Sequence, residues 1–231
     1  MNVEIWSDIA CPFCYIGKRK FEQALEQFPH KDKVAVSFKS FQLDPNAEVE
    51  QSQTTTEMLA QKYGMPIEQA KEMNEQVTDQ AKDVGLDYHL ESSVLTNTKD
   101  AHRLSHFAKE HGKMGEMMER LLKAYFTEGK HVGDHDTLVS LAVEVGLDKE
   151  AAKALLKSDQ YNDIVKEEMQ DGVNIGVQGV PFFVFNRKYA VSGAQPPQAF
   201  LDVLEKIQAE AGEQKINVVS QGESCTDESC S

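Results

Sequence analysis

The stretch "SDIACPFCYIGKRKFEQAL", residues 7–25, places two cysteines three positions apart between two different sequence patterns. The segment "NVEIWS", which leads into it, alternates apolar and polar residues and is typical of a β-strand. Pro12 stands where a first helical turn begins, and apolar residues then recur at helical spacing, at Ile16, Phe21 and Leu25. Cys11 and Cys14 are therefore predicted at a turn from a strand into a helix.

Cys11 is predicted at the N-terminus of that helix, where unpaired N–H groups and the helix dipole favour a negative charge. A thiol there ionises more readily than a free cysteine, so Cys11 is a candidate attacking thiolate. Cys14 lies one turn further on the same face and is the candidate resolving thiol. Pro12 fixes the backbone at the helix start, and Asp8 is a candidate for tuning proton transfer or for capping the helix.

A structural zinc site is the alternative interpretation of the cysteine pair. Such a site needs two further Cys or His ligands, and the sequence has no second C-x-x-C. His102 and His106 are four positions apart on a predicted helix, but the residues between them lack the Glu of a metalloprotease motif. We expect these histidines to pack or to line a substrate site, and no metal is predicted.

The rest of the chain divides into blocks of different pattern. "KVAVSFKSFQL" predicts a second strand, and residues from about 54 to 176 predict helices almost throughout. Four of these helices are predicted to end at a glycine, at Gly112, Gly129, Gly146 and Gly172. "VPFFVF" and "KYAVSG" then predict two strands joined by a turn, and "PPQAFLDVLEKIQAEAG" predicts a last helix.

The predicted fold class is α/β, a sheet unit interrupted by an all-helical insertion domain. The first part of the sheet unit is predicted over residues 1–50, the insertion over 51–175 and the second part over 176–212. Residues 213–231 are polar and are predicted to form a flexible tail.

The composition excludes several classes of partner. A formal net charge of −14 argues against nucleic acid and anionic membranes, whose phosphates the protein would repel. No run approaches the roughly 20 apolar residues of a membrane helix, and the start "MNVEIWSD" lacks the features of a signal peptide. We therefore expect a cytoplasmic protein. Because the cytosol is reducing, a close cysteine pair there favours catalysis or metal binding over a structural disulfide.

A second feature is the proline of "GVQGVPFFVF", which leads a predicted strand. Proline cannot donate a hydrogen bond to a strand ladder, so this position is unusual. A cis Val180–Pro181 bond suits a site where the preceding residue must meet another backbone. The alternative is an ordinary trans proline at a strand start.

These features together resemble the DsbA family of thioredoxin-fold proteins. The segments "SDIACPFCYIGKRKFE", "NTKDAHRLSHFA", "KAYFTEGKHVGDHDTL" and "GVPFFVFNRKYAVSGAQPPQAF" are more specifically similar to its FrnE-like branch. The resemblance covers about residues 2–208. It implies a thioredoxin fold built from both ends of the chain, interrupted by the helical insertion, and a thiol–disulfide oxidoreductase or isomerase.

The resemblance implies three catalytic residues, namely Cys11 as the exposed nucleophile, Cys14 as the resolving cysteine and Pro181 as a cis-proline facing the pair. The backbone of Val180 would bind an extended substrate chain, next to Pro12 and Phe13. The best-known periplasmic oxidant of the family has His where Phe13 stands. Because Phe cannot stabilise a thiolate in that way, we expect a less oxidising pair suited to reduction or isomerisation.

The resemblance also implies partners and an alternative function. The expected partners are protein or peptide thiols and disulfides, or low-molecular-weight thiols, and a homodimer is a further candidate assembly. No cofactor is expected beyond the redox-active disulfide, with glutathione as a candidate reductant. A neighbouring branch contains glutathione-dependent kappa-class transferases and isomerases of small aromatic substrates. Those enzymes typically carry Ser where Cys11 stands, so the pair of Cys11 and Cys14 argues against this alternative.

A second cysteine pair, Cys225 and Cys230 in "CTDESC", lies in the predicted tail. Its acidic neighbours disfavour thiolate formation, which makes these thiols poor attackers. A linker of about 13 residues has a reach of roughly 20 Å, which is enough to approach Cys11. Our hypothesis is a secondary redox pair that reduces or shields Cys11 and Cys14. An isolated disulfide, free thiols and a zinc site joining both pairs are the alternatives.

Overall fold

The computed structural model describes residues 1–212 and the backbone of two short strands near the C-terminus. A four-stranded sheet is formed by β1 (Asn2–Ser7), β2 (Ala35–Ser40), β3 (Phe182–Phe185) and β4 (Tyr189–Ser192), in the order β2-β1-β3-β4. β1 pairs parallel to β2 and antiparallel to β3, and β3 pairs antiparallel to β4. The C-terminal ends of β1 and β2 therefore meet the N-terminal end of β3 at one edge of the sheet.

Two helices cover the sheet and build its core. α1 (Pro12–Gln27) connects the parallel strands β1 and β2, and α9 (Pro197–Gly212), the last helix, packs beside it. Phe21 of α1 lies with its ring centroid 5.5 Å from that of Phe183 and 5.7 Å from that of Phe200. Burial of these aromatic side chains stabilises this side of the sheet.

Seven helices lie between β2 and β3 in the chain: α2 (Thr55–Tyr63), α3 (Ile67–Lys82), α4 (Lys99–Glu110), α5 (Met114–Phe126), α6 (His135–Glu144), α7 (Lys149–Leu156) and α8 (Asn162–Asn174). Short 3₁₀ turns occur at Lys31–Lys33 and Leu90–Ser92. The predicted α/β architecture with a helical insertion is confirmed. Gly112, Gly129 and Gly146 follow helices with positive φ angles, as a helix stop requires.

The predicted helix end at Gly172 is wrong, because α8 continues through this glycine to Asn174. A Cβ atom on Gly172 would lie 2.8 Å from Nε1 of the Trp6 indole. The Trp6 N–H donates to the carbonyl oxygen of Glu168 on the same helix at 2.8 Å. Gly172 is therefore a close-packing position for Trp6, and Gly176, with φ of +91°, follows the true end of the helix.

The insertion packs onto the segment that carries the cysteines. Ile9, Tyr15 and Ile16 belong to the same buried cluster as Tyr88 and Phe126 of the insertion. The domain limits 1–50, 51–175 and 176–212 stay predictions. Within the described residues, no helix is long and apolar enough to cross a membrane.

The predicted tail, 213–231, lies outside the described residues except for the backbone of two paired strands. β5 (Cys225–Thr226) and β6 (Ser229–Cys230) pair antiparallel, with Cys225 opposite Cys230. The predicted role of these two cysteines depends on side chains that lie outside what the structure describes.

Candidate active site

Cys11 occupies the N-cap position of α1, with extended backbone angles of φ −93° and ψ 113°. Its thiol donates to the carbonyl oxygen of Val180 at 3.4 Å. The expected exposure of Cys11 is wrong: only 4% of the residue is accessible, compared with 3% for Cys14. The physical reason is the close approach of the Val180 segment, which covers the thiol from the β3 side.

Cys14 lies one turn behind Cys11 on α1, and neither thiol is in a disulfide. The backbone N–H of Asp8 donates to the Cys14 sulfur at 3.4 Å. Burial, the hydrogen bond with Cys11 and the charge of Cys11 raise the pKa of the Cys14 thiol well above its usual value, against smaller lowering contributions from Ser7 and Asp8. Cys14 is thus held protonated beside the helix N-terminus, which suits a second rather than a first attack.

Val180 and Pro181 face this pair from the start of β3, and the peptide bond between them is cis. The carbonyl of Val180 accepts from Cys11, and that of Pro181 accepts from the N–H of Gly193 at 2.8 Å. Within the described part of the chain the N–H of Val180 has no hydrogen-bond partner. Val180 is half-buried, and its N–H is left for a further hydrogen-bond acceptor.

Gly17 of α1 is a site residue that the sequence analysis missed. A Cβ atom at this position would lie 2.8 Å from Cγ of the Pro181 ring and 3.5 Å from Ala194. The absence of a side chain lets the proline pack directly against the cysteine-bearing helix. A signal was present in the sequence, since an isolated glycine inside a helical pattern often marks a packing or functional constraint.

Pro12 and Phe13, the two residues between the cysteines, differ in environment. Phe13 is 38% exposed, so its ring projects beside the pair as an apolar surface. The carbonyl of Pro12 accepts from the buried hydroxyl of Tyr88 at 2.7 Å. Burial and the charges of Cys11 and Cys14 raise the pKa of Tyr88, which remains a neutral donor.

Tyr88 comes from the insertion and is also missed by sequence reasoning, because nothing local in "GLDYHL" marks it. Its ring stacks on Phe126 with centroids 4.8 Å apart and lies 6.2 Å from that of Tyr15. The insertion thus contributes directly to the shape of the cysteine site.

Asp8 does not cap α1, which corrects one of its two predicted roles. Its Oδ2 accepts from the N–H of Leu43 at 2.8 Å, and its Oδ1 lies 3.5 Å from the N–H of Ala10. The carboxylate is directed toward the β2 side of the turn rather than toward the first N–H groups of α1, and Cys11 is the N-cap without a side-chain cap bond.

His102 and His106 are both buried on α4 and face the thioredoxin part of the chain. Nε2 of His102 lies 3.4 Å from Asp8 Oδ1, and Nε2 of His106 lies 3.2 Å from Glu168 Oε2. Each histidine meets a carboxylate from another element, which is a packing arrangement. No cluster of three or more potential metal ligands occurs among the described residues.

Comparison with known proteins assigns this fold to a family. A family model for the DSBA-like thioredoxin domain matches residues 2–205. The chain belongs to this DsbA-like thioredoxin-domain family, and the predicted thioredoxin fold is confirmed. Among curated proteins, it is 30% identical over 218 residues to the uncharacterized protein YwbO of Bacillus subtilis (strain 168), covering 89% of this chain and 94% of that protein.

Two solved structures are similar to this chain in fold. The probable DsbA oxidoreductase SCO1869 from Streptomyces coelicolor is 40% identical, with a TM-score of 0.88 over 100% of this chain and 98% of that chain. The cytosolic disulfide reductase DsbM from Pseudomonas aeruginosa, solved with GSH, is 16% identical, with a TM-score of 0.62 over 90% of this chain and 100% of that chain. The second likeness concerns the fold alone, whereas the family assignment makes an oxidoreductase the expected class of enzyme.

Proposed function

We propose that this protein is a thiol–disulfide oxidoreductase that reduces or isomerises disulfides through Cys11 and Cys14. The observation that carries the proposal is the contact of Cys11 Sγ with the Val180 carbonyl, 3.4 Å away, at a cis Val180–Pro181 bond. This contact brings the N-cap thiol of Cys11 next to a backbone segment that can bind substrate. The proposed resolving thiol, Cys14, lies one turn further along the same helix. The substrates proposed are disulfides of proteins or peptides, or of low-molecular-weight thiols.

The reaction proceeds by two thiol–disulfide exchanges. The thiolate of Cys11 attacks one sulfur of the substrate disulfide, the substrate S–S bond breaks and the other substrate sulfur leaves as a thiolate. Cys14 then attacks Cys11 Sγ, the mixed disulfide breaks and the Cys11–Cys14 disulfide forms. Two electrons have passed to the substrate. In isomerisation, a substrate thiol displaces Cys11 before Cys14 reacts.

The high pKa of Cys14 helps to separate these two steps. Because burial and the neighbouring Cys11 keep the Cys14 thiol protonated, Cys14 is a poor nucleophile before the mixed disulfide exists. Burial continues to disfavour the Cys14 thiolate in the mixed disulfide, so a substrate thiol can compete with Cys14, which favours isomerisation.

Substrate binding is proposed along the segment before β3. The N–H of Val180 would pair with a carbonyl of an extended substrate, and the exposed ring of Phe13 would contact an apolar substrate side chain. Phe13 offers no hydrogen bond or charge to a Cys11 thiolate. The Cys11–Cys14 disulfide is therefore proposed to be only weakly oxidising, as a reductase or isomerase requires.

Glutathione is the proposed reductant of the Cys11–Cys14 disulfide, and the cytoplasm is the proposed compartment. The support comes from a protein of the same fold, DsbM, which is named a cytosolic disulfide reductase and was solved with GSH. The reaction needs no metal and no cofactor other than the disulfide itself.

Reduction of insulin by dithiothreitol tests the proposal with three variants. We expect wild type to accelerate the reaction, Cys11→Ser to abolish the acceleration and Cys14→Ser to accumulate a mixed disulfide that mass spectrometry detects. The double variant Cys225→Ser, Cys230→Ser is the matched control. It removes two thiols, as many as the two single variants Cys11→Ser and Cys14→Ser remove together. It should retain activity, because dithiothreitol reduces Cys11 and Cys14 directly.

Other outcomes separate the remaining hypotheses. With glutathione in place of dithiothreitol, slower turnover of the tail double variant would support the hypothesis that Cys225 and Cys230 reduce Cys11 and Cys14. Unchanged turnover would contradict that hypothesis. A wild type inert toward insulin but active with glutathione on a small aromatic substrate would replace the proposal by the transferase or isomerase alternative.

A further inference from the structure

Tyr88 connects the helical insertion to the backbone between the two cysteines. The residue is 3% exposed and lies in the segment between α3 and α4. Its hydroxyl donates to the carbonyl oxygen of Pro12 at 2.7 Å, and its ring stacks on Phe126. The N–H of the next residue, His89, donates to the carbonyl oxygen of Phe126 at 2.7 Å. Contacts of both the ring and the backbone therefore hold the hydroxyl against Pro12.

The bond from Tyr88 is not needed to complete the helix. Pro12 is the first residue of α1, so its carbonyl belongs to the helix ladder, which uses one of the two lone pairs of the oxygen. The Tyr88 hydroxyl occupies the other. Hydrogen bonds in a chain polarise one another, so a donor on this carbonyl strengthens the N–H at the other side of the same peptide group. That N–H belongs to Phe13.

Cys11 needs such a donor once its thiol is ionised. The neutral thiol donates to the Val180 carbonyl at 3.4 Å, but a thiolate has no proton to donate and has to accept hydrogen bonds instead. The side chain of an N-cap residue reaches the N–H of the second or third helical residue. The third, of Cys14, already bonds the Cys11 carbonyl at 3.0 Å. The second, of Phe13, has no partner in the part of the chain that the structure describes.

We propose that Tyr88 is a positioning residue that stabilises the Cys11 thiolate through the peptide group of Pro12 and Phe13. Its hydroxyl polarises the Pro12 carbonyl, and the N–H of Phe13 then donates more strongly to the ionised sulfur. Phe13 contributes its backbone alone, because its side chain has no donor. The inference rests on the proposed function, in which Cys11 attacks the substrate disulfide as a thiolate.

A neutral donor suits this position. Burial, followed by the charges of Cys11 and Cys14, raises the pKa of the Tyr88 hydroxyl, so the hydroxyl keeps its proton when Cys11 is ionised. The other titratable groups that act on it are Tyr15 and Arg19, both on α1. A cation in place of the hydroxyl would bring a further buried charge with its desolvation cost, which the neutral hydroxyl avoids.

The test titrates Cys11 by the ultraviolet absorbance of its thiolate, in a chain whose other three cysteines are replaced by serine. Tyr88→Phe removes the hydroxyl and keeps the ring that stacks on Phe126. We expect this variant to hold about twofold less Cys11 thiolate than its parent on the acidic side of the titration, because it loses the polarisation of a charge-assisted hydrogen bond.

An NMR spectrum of the same two chains shows whether the effect passes through the backbone. The amide of Phe13 should shift in Tyr88→Phe, because it belongs to the peptide group that loses a hydrogen bond. The remaining amides of the sheet should keep their positions, which shows at the same time that the variant is folded.

Tyr161→Phe is the matched control. It also removes a buried tyrosine hydroxyl from the insertion, and among the described residues that hydroxyl has no hydrogen-bond partner. The Cys11 titration of Tyr161→Phe should follow that of the parent chain.

Three outcomes overturn the proposal: an unchanged thiolate fraction in Tyr88→Phe, an equal loss in Tyr161→Phe, or a loss in Tyr88→Phe with no shift of the Phe13 amide. Failure of the proposed function is a separate result, because the titration requires no substrate. A wild type that does not accelerate insulin reduction, but whose Cys11 titration responds to Tyr88→Phe, would reject the function and keep the role of Tyr88.

Discussion

At the scale of single residues, one position without a side chain, Gly17, shapes the cysteine site. Gly17 has no side chain, and this lets the Pro181 ring pack against α1 beside the cysteines. That contact holds the Val180 carbonyl at 3.4 Å from Cys11 Sγ. The distance between Cys11, the proposed nucleophile, and the proposed substrate-binding backbone therefore depends on a glycine six residues further along the chain.

Substitution of Gly17 by alanine tests this dependence. The new methyl group would meet the stiff Pro181 ring, so the proline must move away from α1. We expect at least a tenfold loss of insulin reduction. The overpacking, about 1–3 kcal/mol, should outweigh the gain in helix propensity of about 1 kcal/mol. Urea unfolding and the insulin assay measure the two effects.

Gly115→Ala is the matched control, since a Cβ at Gly115 in α5 has no neighbour within 4 Å. It should keep full activity and be at least as stable as wild type. Equal activities of the two alanine variants would show that the close contact of Gly17 with Pro181 is not required.

At the scale of elements, α1 is held against α5 of the insertion by partly buried charged groups. Glu119 of α5 accepts from Lys18 and from the Tyr15 hydroxyl, both at 2.6 Å, and also binds Arg19. Burial opposes the charge of Glu119, yet the bonds from Arg19 and Lys18 lower its pKa to about 2. These contacts fix the helix that carries both cysteines relative to the insertion that carries Tyr88.

Glu119→Gln should therefore loosen this docking. The amide can keep some hydrogen bonds but leaves Lys18, only 7% exposed, without one of its two carboxylate partners. We expect a loss of about 1–2 kcal/mol in the free energy of unfolding, a value reduced because Glu119 is partly exposed. Denaturation in urea at pH 7 measures it.

Glu116→Gln changes an exposed residue on the same helix and should alter the stability by less than about 0.5 kcal/mol. A similar loss of stability in both variants would mean that the free energy of unfolding depends on the negative charge of α5 in general and not on the contact of Glu119 with α1.

At the scale of the whole molecule, a buried carboxylate attaches the insertion to the sheet. Glu168 of α8 accepts from the N–H of Ser40 at 2.7 Å and from Lys39 at 3.0 Å, and lies against His106. Burial works against ionisation of Glu168, but His106, Ser40 and Lys39 lower its pKa to about 2. Glu168 links β2 to two helices of the insertion, α4 and α8.

The stability of the protein should consequently depend on pH through Glu168. Its pKa in the folded state lies below the unfolded value of about 4.3, so its contribution is present above that value and is lost as pH falls toward 2. We expect the free energy of unfolding of wild type to fall through this window. Glu168→Gln should be less stable at pH 7 by about 3 kcal/mol, with the difference shrinking as the pH decreases. Thermal unfolding at a series of pH values checks this.

Glu167→Gln, at the exposed neighbouring position, serves as the control and should follow the wild-type curve. A constant difference between Glu168→Gln and wild type from pH 7 to pH 2 would contradict the assigned role of the Glu168 charge.

The sequence by itself determined the features that rest on local physics. Alternation in "NVEIWS", Pro12 and the helical spacing after it placed Cys11 at a helix start, and the glycines after α4, α5 and α6 marked their ends. These rules act between residues a few positions apart, so they are readable without a fold.

Only the tertiary structure decided what surrounds the two thiols. The burial of Cys11, the contact of Gly17 with Pro181, the bond from Tyr88 to Pro12 and the approach of His102 to Asp8 all join distant parts of the chain. No local pattern encodes such contacts, because they follow from how the helical insertion packs onto the sheet. The cysteine pair is thus visible in the sequence, whereas the groups that surround its two thiols are set by packing.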